Sequence, residues 1–169
     1  MSSVNKNLSS IEGSEVPNAS AFRFAIVYSE WNSTITGALK EGALSTLIHF
    51  GAKAQNISVQ AVPGSFELTL GAQYAAEFTD ADAIICLGCV IQGETRHFDF
   101  ICDAVAKGIT DLNIKYNIPV IFGVLTPDTM QQAIDRAGGK HGNKGSEAAI
   151  TAIKMLGLRN SLVSEVNKT

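Results

Sequence analysis

Charged residues are scarce in this chain of 169 residues, where Asp, Glu, Lys and Arg together make up only 17%. The net charge is -3 and no run of Lys or Arg occurs, so the electrostatic basis for general nucleic-acid binding is missing. Long apolar runs are also absent, and none approaches the roughly 20 residues that a membrane-spanning helix needs. The N-terminus lacks the charged-then-apolar pattern of a secretory signal. We therefore expect a cytoplasmic protein without nucleic-acid or membrane partners.

Cysteine is rare as well, with three residues, although Cys86 and Cys89 have the C-x-x-C spacing of redox and zinc sites. No second such pair and no paired histidines complete a zinc set. Both cysteines lie in an apolar run that is typical of a strand, where residues three apart point to opposite faces. We therefore expect no metal site, and a functional thiol pair is the minor alternative.

Apolar residues, by contrast, make up 46% of the chain, enough for the core of one domain. With so few charges, part of the surface is expected to be covered by other copies of the chain. Residues 1–20 are rich in Ser, Asn and Glu and lack periodicity, which predicts a tail unless a partner orders it. We divide the chain into this N-terminal tail, a domain over 21–158 and a C-terminal tail over 159–169.

Segments of strand-like and helix-like periodicity alternate along the domain. Strands are predicted over 22–28, 57–62, 83–89 and 120–125. Helices are predicted from 32 or 33 to 50, for about three turns from a cap at Ser65, over 97–116, from 128 or 129 to 137, and over 146–156. This alternation requires crossovers between parallel strands. The predicted fold is therefore an α/β flavodoxin-like three-layer sandwich, a four-stranded parallel sheet with helices on both faces.

The segment after the third predicted strand has the features of a reaction site. Gly93, Glu94 and Thr95 offer free backbone N–H groups where the next helix begins, and such groups bind anions. His97 follows in the first turn, and its unperturbed pKa of about 6.5 suits proton transfer at neutral pH. A histidine at a helix start is also a common structural residue, so this segment alone leaves both interpretations open. Chemistry on a phosphorylated small molecule is the functional one.

Several other polar or aromatic loops follow strands and are expected at the same edge of the sheet, where ligands bind in such folds. Five stretches in these and nearby positions carry a resemblance to a known family. They are FAIV (24–27) with Trp31-Asn32, VPGSFEL (62–68), GETRHFD (93–99), FGVLT (122–126) and RAGGKHGNKG (136–145). Their order and spacing over 21–156 resemble the 6,7-dimethyl-8-ribityllumazine synthases of riboflavin biosynthesis.

The resemblance implies a role for each matching residue. His97 is the proton-transfer residue, and Trp31 stands where relatives stack an aromatic ring, usually Phe, on a pyrimidine. The other implied pyrimidine or ribityl contacts are Ser65, Phe66, Glu67, Cys89, Val90, Ile91 and Phe122. The implied phosphate contacts are Gly93, Glu94, Thr95 and Arg136, with Lys144 and Glu147 as further charged positions. Phe122 and Arg136 are expected to come from a neighbouring subunit.

The implied activity is the condensation of 5-amino-6-(D-ribitylamino)uracil with 3,4-dihydroxy-2-butanone 4-phosphate, without cofactor or metal. The implied assembly is a pentamer with shared sites, and a sixty-subunit shell of twelve pentamers and riboflavin synthase as a partner stay open. Arg96, where many relatives have proline, and Ser146, where relatives often have an aromatic, depart from the family. Two alternatives remain: a flavodoxin-like module that binds a flavin without catalysis, and an inactive shell-forming homologue.

Overall fold

Strands and helices alternate through the part of the chain that the structure describes. The computed structural model describes residues 16–167. Its strands are β1 (Phe24–Ser29), β2 (Ile57–Val62), β3 (Ala83–Cys89), β4 (Val120–Leu125), β5 (Ala137–Gly139) and β6 (Gly142–Asn143). Its helices are α1 (Ser33–His49), α2 (Leu68–Phe78), α3 (His97–Tyr116), α4 (Met130–Arg136) and α5 (Lys144–Val166).

The first four strands form one parallel sheet in the order β2-β1-β3-β4. Phe24 of β1 pairs with Ile57 of β2 on one side and with Ala83 of β3 on the other. The chain therefore moves outward from β1 to β2 and then returns to the far side of β1, so the strand order reverses between β1 and β3. Loops beyond the carboxyl ends of strands form the ligand crevice at such a reversal. The predicted flavodoxin-like α/β fold is confirmed.

Alternating side chains divide the core into two apolar layers, one on each face of the sheet. Ile26, Ile85 and Leu87 lie in the layer that contains the buried residues of α1 and α5. Val27 and Ile84 lie in the layer that contains those of α2 and α3. All five side chains are fully buried, and each such burial contributes about 1.5–3 kcal/mol of hydrophobic stabilisation. The sheet edge that carries the loops is thus held from both sides.

Helices α1 and α5 approach each other at backbone distance. A Cβ atom added to Gly145 would lie 1.9 Å from the Leu39 carbonyl oxygen, so only glycine fits at this crossing. Asn143 joins the two helices as well, because its Nδ2 donates to the Ala38 carbonyl at 2.9 Å. Its Oδ1 accepts from the Gly145 N–H at 2.8 Å and so caps α5. The start of α5 is therefore fixed against α1.

Ser146, one of the two departures from the family pattern, fits this close crossing. Its hydroxyl donates to the Gly42 carbonyl in α1 at 3.1 Å. Gly42 is itself small because a Cβ atom there would lie 2.4 Å from the side chain of Asn143, the N-cap of α5. Gly42 of α1 and Ser146 of α5 are therefore both small residues where the helices meet. The small serine is thus compatible with the packing of the last helix.

Helix α5 is longer than the sequence predicts. The expected end at residue 156 is wrong, because α5 continues to Val166 and includes residues 159–166 of the expected C-terminal tail. Gly157 does not end the helix. Its missing side chain makes room for Pro17, whose Cγ would lie 2.6 Å from an added Cβ atom. No helix among residues 16–167, α5 included, has the length and apolarity of a membrane span.

The last residues of the expected N-terminal tail pack against the domain. Val16 and Ala19 are buried, and the Ala19 N–H donates to the Phe50 carbonyl at 2.8 Å. The rest of that tail, and with it the question of whether a partner orders it, lies outside the described residues. The division of the chain at residues 20 and 158 stays a prediction.

Candidate active site

The carboxyl ends of β1, β2 and β3 surround a cleft of about 660 Å³, which we call the first cleft. It lies where the strand order reverses. Most of the residues predicted to contact the pyrimidine and ribityl groups lie here together with His97. The lining residues are Trp31, Asn32, Gly64, Ser65, Phe66, Glu67, Cys89, Val90, Ile91, His97 and Ile101.

Trp31 projects from a loop that continues the β1–β2 pairing beyond the strands. Its backbone N–H donates to the Pro63 carbonyl at 3.1 Å, and the Glu30 N–H donates to the Val62 carbonyl at 2.8 Å. These bonds hold the Trp31 loop beside the loop that carries Phe66. The Trp31 side chain is nevertheless 73% exposed. An indole that lines a concave site without being buried offers a flat face to a planar ligand.

Ser65 does not cap α2, so that prediction is wrong. The helix begins at Leu68 with Glu67 at its N-cap, and no side chain caps it. The Ser65 hydroxyl is buried and has no hydrogen-bond partner among the described residues. A Cβ atom at Gly88 would lie 2.7 Å from this oxygen, so the glycine permits the loop to lie against β3. The hydroxyl is therefore available to a polar ligand in the first cleft.

Cys86 and Cys89 lie on opposite faces of β3, as their spacing in a strand predicts. Cys86 belongs to the apolar layer of α2 and α3, and Cys89 belongs to that of α1 and α5. Burial raises the pKa of the Cys86 thiol to about 12 and that of Cys89 to about 11. Both sulfurs therefore stay protonated near neutral pH, which is not the state of a redox pair. In residues 16–167 no three potential metal ligands cluster together.

The predicted phosphate turn lies beside the first cleft at the start of α3. Gly93, Glu94 and Thr95 are exposed, and no other group lies within 4 Å of the Cβ position at Gly93. The Thr95 hydroxyl accepts a long hydrogen bond of 3.4 Å from the His97 N–H. The Asp99 N–H donates to the Arg96 carbonyl at 3.1 Å, whereas N–H groups that precede it at a helix start lack helical partners and can receive an anion. Arg96 directs its Nε toward Asp99 at 3.4 Å, an exposed ion pair.

A second cleft, of about 580 Å³, lies along the edge strand β4 and contains the remaining predicted residues. Phe122 projects from β4, and Arg136 ends α4, where its Nη1 donates to the Gln132 carbonyl at 3.0 Å. Lys144 and Glu147 form an ion pair of 2.6 Å in the first turn of α5. All four predicted residues line this second cleft.

A small hairpin brings the end of α4 back to the start of α5. In this hairpin β5 and β6 pair in an antiparallel manner. Gly138 and Gly142 have φ angles of 117° and 73°, in the left-handed region that favours glycine. The hairpin thereby places Arg136 and Lys144 along one cleft although seven residues separate them.

Apart from the Gly93–Thr95 turn, which lies beside the first cleft, the predicted site residues are thus divided between two clefts that share no lining residue. The sequence did not single out Ile101 in the first cleft or Gln132 and Thr151 in the second. It named Asn32 as a possible cap of α1 and as part of the Trp31-Asn32 motif, without a contact for its side chain. Asn32 does occupy the N-cap position of α1, but its side chain makes no cap bond and instead donates to the Cys89 carbonyl. The position of Asn32 directly after Trp31 was the sequence feature that could have indicated a role in the first cleft.

Comparison with known proteins identifies one family across this whole region. A family model described as 6,7-dimethyl-8-ribityllumazine synthase matches residues 21–160. A 6,7-dimethyl-8-ribityllumazine synthase from Cytophaga hutchinsonii is 64% identical over 156 residues, which cover 92% of this chain and 98% of that protein. Proteins of the same name are 56% identical in Parabacteroides distasonis, over 92% of this chain and 98% of the relative, and 54% identical in Phocaeicola vulgatus, over 96% of both.

Proposed function

The chain belongs to the 6,7-dimethyl-8-ribityllumazine synthase family, and on that premise we propose how its two clefts divide the work of the reaction. The enzyme is a transferase of riboflavin biosynthesis. It condenses 5-amino-6-(D-ribitylamino)uracil with 3,4-dihydroxy-2-butanone 4-phosphate and releases phosphate and water. The proposal concerns where each substrate binds and which residues act.

We propose that the uracil substrate binds in the first cleft. The exposed face of Trp31 stacks on the pyrimidine ring, and backbone groups of Cys89, Val90 and Ile91 form hydrogen bonds with its edge. The buried Ser65 hydroxyl, which lacks a partner in the described residues, and the exposed Glu67 bind the ribityl chain. A ligand with many hydroxyls supplies partners that an apolar ligand could not.

The phosphorylated ketone is proposed to bind between the turn at Gly93–Thr95 and an arginine of a neighbouring subunit. The backbone N–H groups at the start of α3 supply the positive end of the helix dipole. Arg136 supplies a planar guanidinium that can form two parallel bonds with phosphate oxygens. Lys144 lines the same cleft, where its ammonium is paired with the Glu147 carboxylate. This arrangement places the ketone next to the amino group of the stacked pyrimidine.

The observation that carries this proposal is the division of one predicted site between two separate clefts of one chain. If the second cleft of one subunit faces the first cleft of its neighbour, the predicted site residues come together in one complete site. A head-to-tail contact of this kind closes into a ring, and we propose a pentamer. Exposed apolar side chains along α2 and the loop before it support such a contact, namely Phe66, Leu70, Tyr74 and Phe78.

The chemistry needs little more than placement and proton transfer. The amine attacks the ketone carbonyl, and loss of water forms an imine. Loss of phosphate then leaves an enol, which becomes a ketone, and the ribityl-bearing nitrogen closes the second ring with loss of water. Holding the two reactants in register is worth roughly 7–11 kcal/mol of barrier. His97, exposed in the first cleft, is proposed to move protons during these steps, a contribution of about 10²–10⁴ in rate.

Three finer features stay predictions. A shell of twelve pentamers is supported by the short connection between Arg136 and Glu147, which consists of the hairpin and the first turn of α5. Riboflavin synthase as a partner and the cytoplasmic location follow only from the family and from the expectation based on the sequence.

The direct test is an assay with both substrates. The purified chain should form the lumazine and release phosphate only when both are present, with each substrate alone as the control. A protein that retains a flavin through gel filtration but forms no lumazine would instead be a binding module. Light scattering tests the assembly: a pentamer has about five times the 17.9 kDa mass of the chain, and a monomeric active enzyme would contradict the shared site.

A further inference from the structure

We propose that Asn32 is a positioning residue that ties the two sides of the first cleft together and thereby sets the affinity for the uracil substrate. The tie is the hydrogen bond of 3.0 Å from its side-chain Nδ2 to the Cys89 carbonyl oxygen. The inference rests on the proposed function of the first cleft.

The backbone divides at the mouth of this cleft. The paired residues of β1 and β3 end with Tyr28 and Leu87. Beyond that point the chain that leaves β1 turns toward β2, since the Trp31 N–H donates to the Pro63 carbonyl at 3.1 Å. One side of the cleft therefore consists of the loops that follow β1 and β2.

The chain that leaves β3 turns the other way. The Val90 N–H donates to the Leu125 carbonyl at 2.8 Å, and the Gln92 N–H donates to the Pro127 carbonyl at 3.0 Å. The second side of the cleft thus follows β3 and β4. The stacking ring of Trp31 belongs to one side and the backbone of residues 89–91 belongs to the other, so their separation needs a cross-link.

Asn32 supplies that cross-link. Along the part of the chain that the structure describes, its bond to Cys89 is the one side-chain hydrogen bond between the loop after β1 and the end of β3. Cys89 is buried, and a buried carbonyl left without a partner is destabilising. The bond therefore fixes the Cys89 peptide plane, and with it the orientation of Val90 and Ile91.

The backbone conformation of Asn32 restricts which residues can do this. It has φ 60° and ψ 44°, the left-handed region, and its carbonyl accepts from the N–H groups of Ile35 and Thr36 at the start of α1. Asn, Asp and Gly adopt this conformation most readily. Of these three, only asparagine carries a side-chain donor for the Cys89 carbonyl. Both requirements thus meet at one position.

Two substitutions distinguish the effect of the side-chain donor from the effect of the backbone conformation. Asn32→Gly keeps the left-handed conformation and removes the amide. Asn32→Asp keeps the shape but faces the Cys89 carbonyl with an acceptor, and it remains informative if the glycine variant folds poorly. Asn117→Gly is the matched control, because Asn117 also lies in the left-handed region, with φ 53° and ψ 38°, at the opposite end of the sheet.

The readout is substrate-specific affinity. Trp31 is the only tryptophan of the chain, so its fluorescence reports binding of the uracil substrate without turnover. We expect both Asn32 variants to bind this substrate about five- to tenfold more weakly, with the KM for the phosphorylated ketone changed less than about twofold. Asn117→Gly should leave both values unchanged.

An Asn32→Gly enzyme with unchanged affinity for the uracil substrate would overturn the proposal. Equal weakening of both substrates would also overturn it, since a purely structural role has that effect. Failure of the proposed function has a different signature: the unmodified enzyme would show no fluorescence response to the uracil substrate and no lumazine formation.

Discussion

The division of the site between two clefts predicts that two differently impaired variants restore each other when their subunits mix. His97→Ala damages only the first cleft, and Arg136→Ala damages only the second. If each active site combines the first cleft of one subunit with the second cleft of its neighbour, a mixed ring contains some sites with both residues intact. Neither parent alone contains any such site.

The magnitude follows from the geometry of the ring. His97→Ala should lose about 10²–10⁴ in rate. Arg136→Ala loses two charge-assisted bonds of about 1.5–3 kcal/mol each, and at least about a hundredfold in kcat/KM, mainly through a higher KM for the phosphorylated ketone. In an equal random mixture, about one half of the sites receive an intact His97 from one subunit, and about one half of these also receive an intact Arg136 from the neighbour. About one quarter of the sites are therefore complete, whatever the ring size.

The assay compares rates at low concentrations of the phosphorylated ketone after the two variants are co-expressed in equal amounts. The mixture should reach about a quarter of the rate of the unmodified enzyme, well above either parent. A pair in which both changes affect the first cleft, His97→Ala with Glu67→Ala, is the control and should show no recovery.

A rate equal to the mean of the two parents would contradict the shared site, because it would mean that each chain holds a complete site. Recovery in the control pair would refute it as well. An unchanged KM for the phosphorylated ketone in Arg136→Ala would separately tell against the assignment of that arginine.

Three further predictions concern single residues. His97→Ala should still exceed the rate of the free substrates, because placement of the reactants survives, and a folded variant without this excess would contradict the balance between placement and proton transfer. Gly145→Ala should lower the free energy of unfolding by about 1–3 kcal/mol in denaturant titrations, because its Cβ atom would lie 1.9 Å from a carbonyl oxygen of α1. Gly37→Ala, with open space around its Cβ position, should instead stabilise by about 0.5–1 kcal/mol, and equal effects of the two changes would refute the close helix crossing. Burial raises the pKa of Cys89 to about 11, so iodoacetamide at pH 8 should label Cys102, which is partly exposed, well before Cys89 when peptides are measured by mass spectrometry. Faster labelling of Cys89 than of Cys102 would contradict its burial. Because the folded-state pKa of Cys89 is raised, the stability that the protonated thiol contributes should decline only as the pH rises from about 9 toward 11.

Much of the sheet and its longest crossover could be predicted from local patterns. The predicted bounds of β2, β3, α3 and β4 agree with the structure to the residue. β2, α3 and β4 are apolar or periodic runs with a proline within three residues of their ends, and β3 lies in a continuous apolar run, so the information lies within a few neighbouring residues. The stop of α1 at Gly51, with φ 96°, is of the same kind.

The predictions were wrong where a residue contacts a distant part of the chain. Glycine often ends a helix, but α5 continues through Gly157 to Val166. Gly157 lacks a side chain because Pro17 packs against it. Ser65 resembles a helix cap, but its hydroxyl lies over Gly88 of β3 and contributes no cap bond. Local propensity describes both residues well enough, yet tertiary contacts decided what each one does.

Local patterns and motifs thus account for the alternation of strands and helices, the family and the kinds of residue that the reaction requires. The folded chain was needed to show which clefts His97 and Arg136 line, and that Asn32 reaches Cys89 across 57 positions. The difference comes from the range of the interactions. Periodicity and turn preferences act over a few neighbouring residues, whereas the order of strands in the sheet determines which distant loops meet.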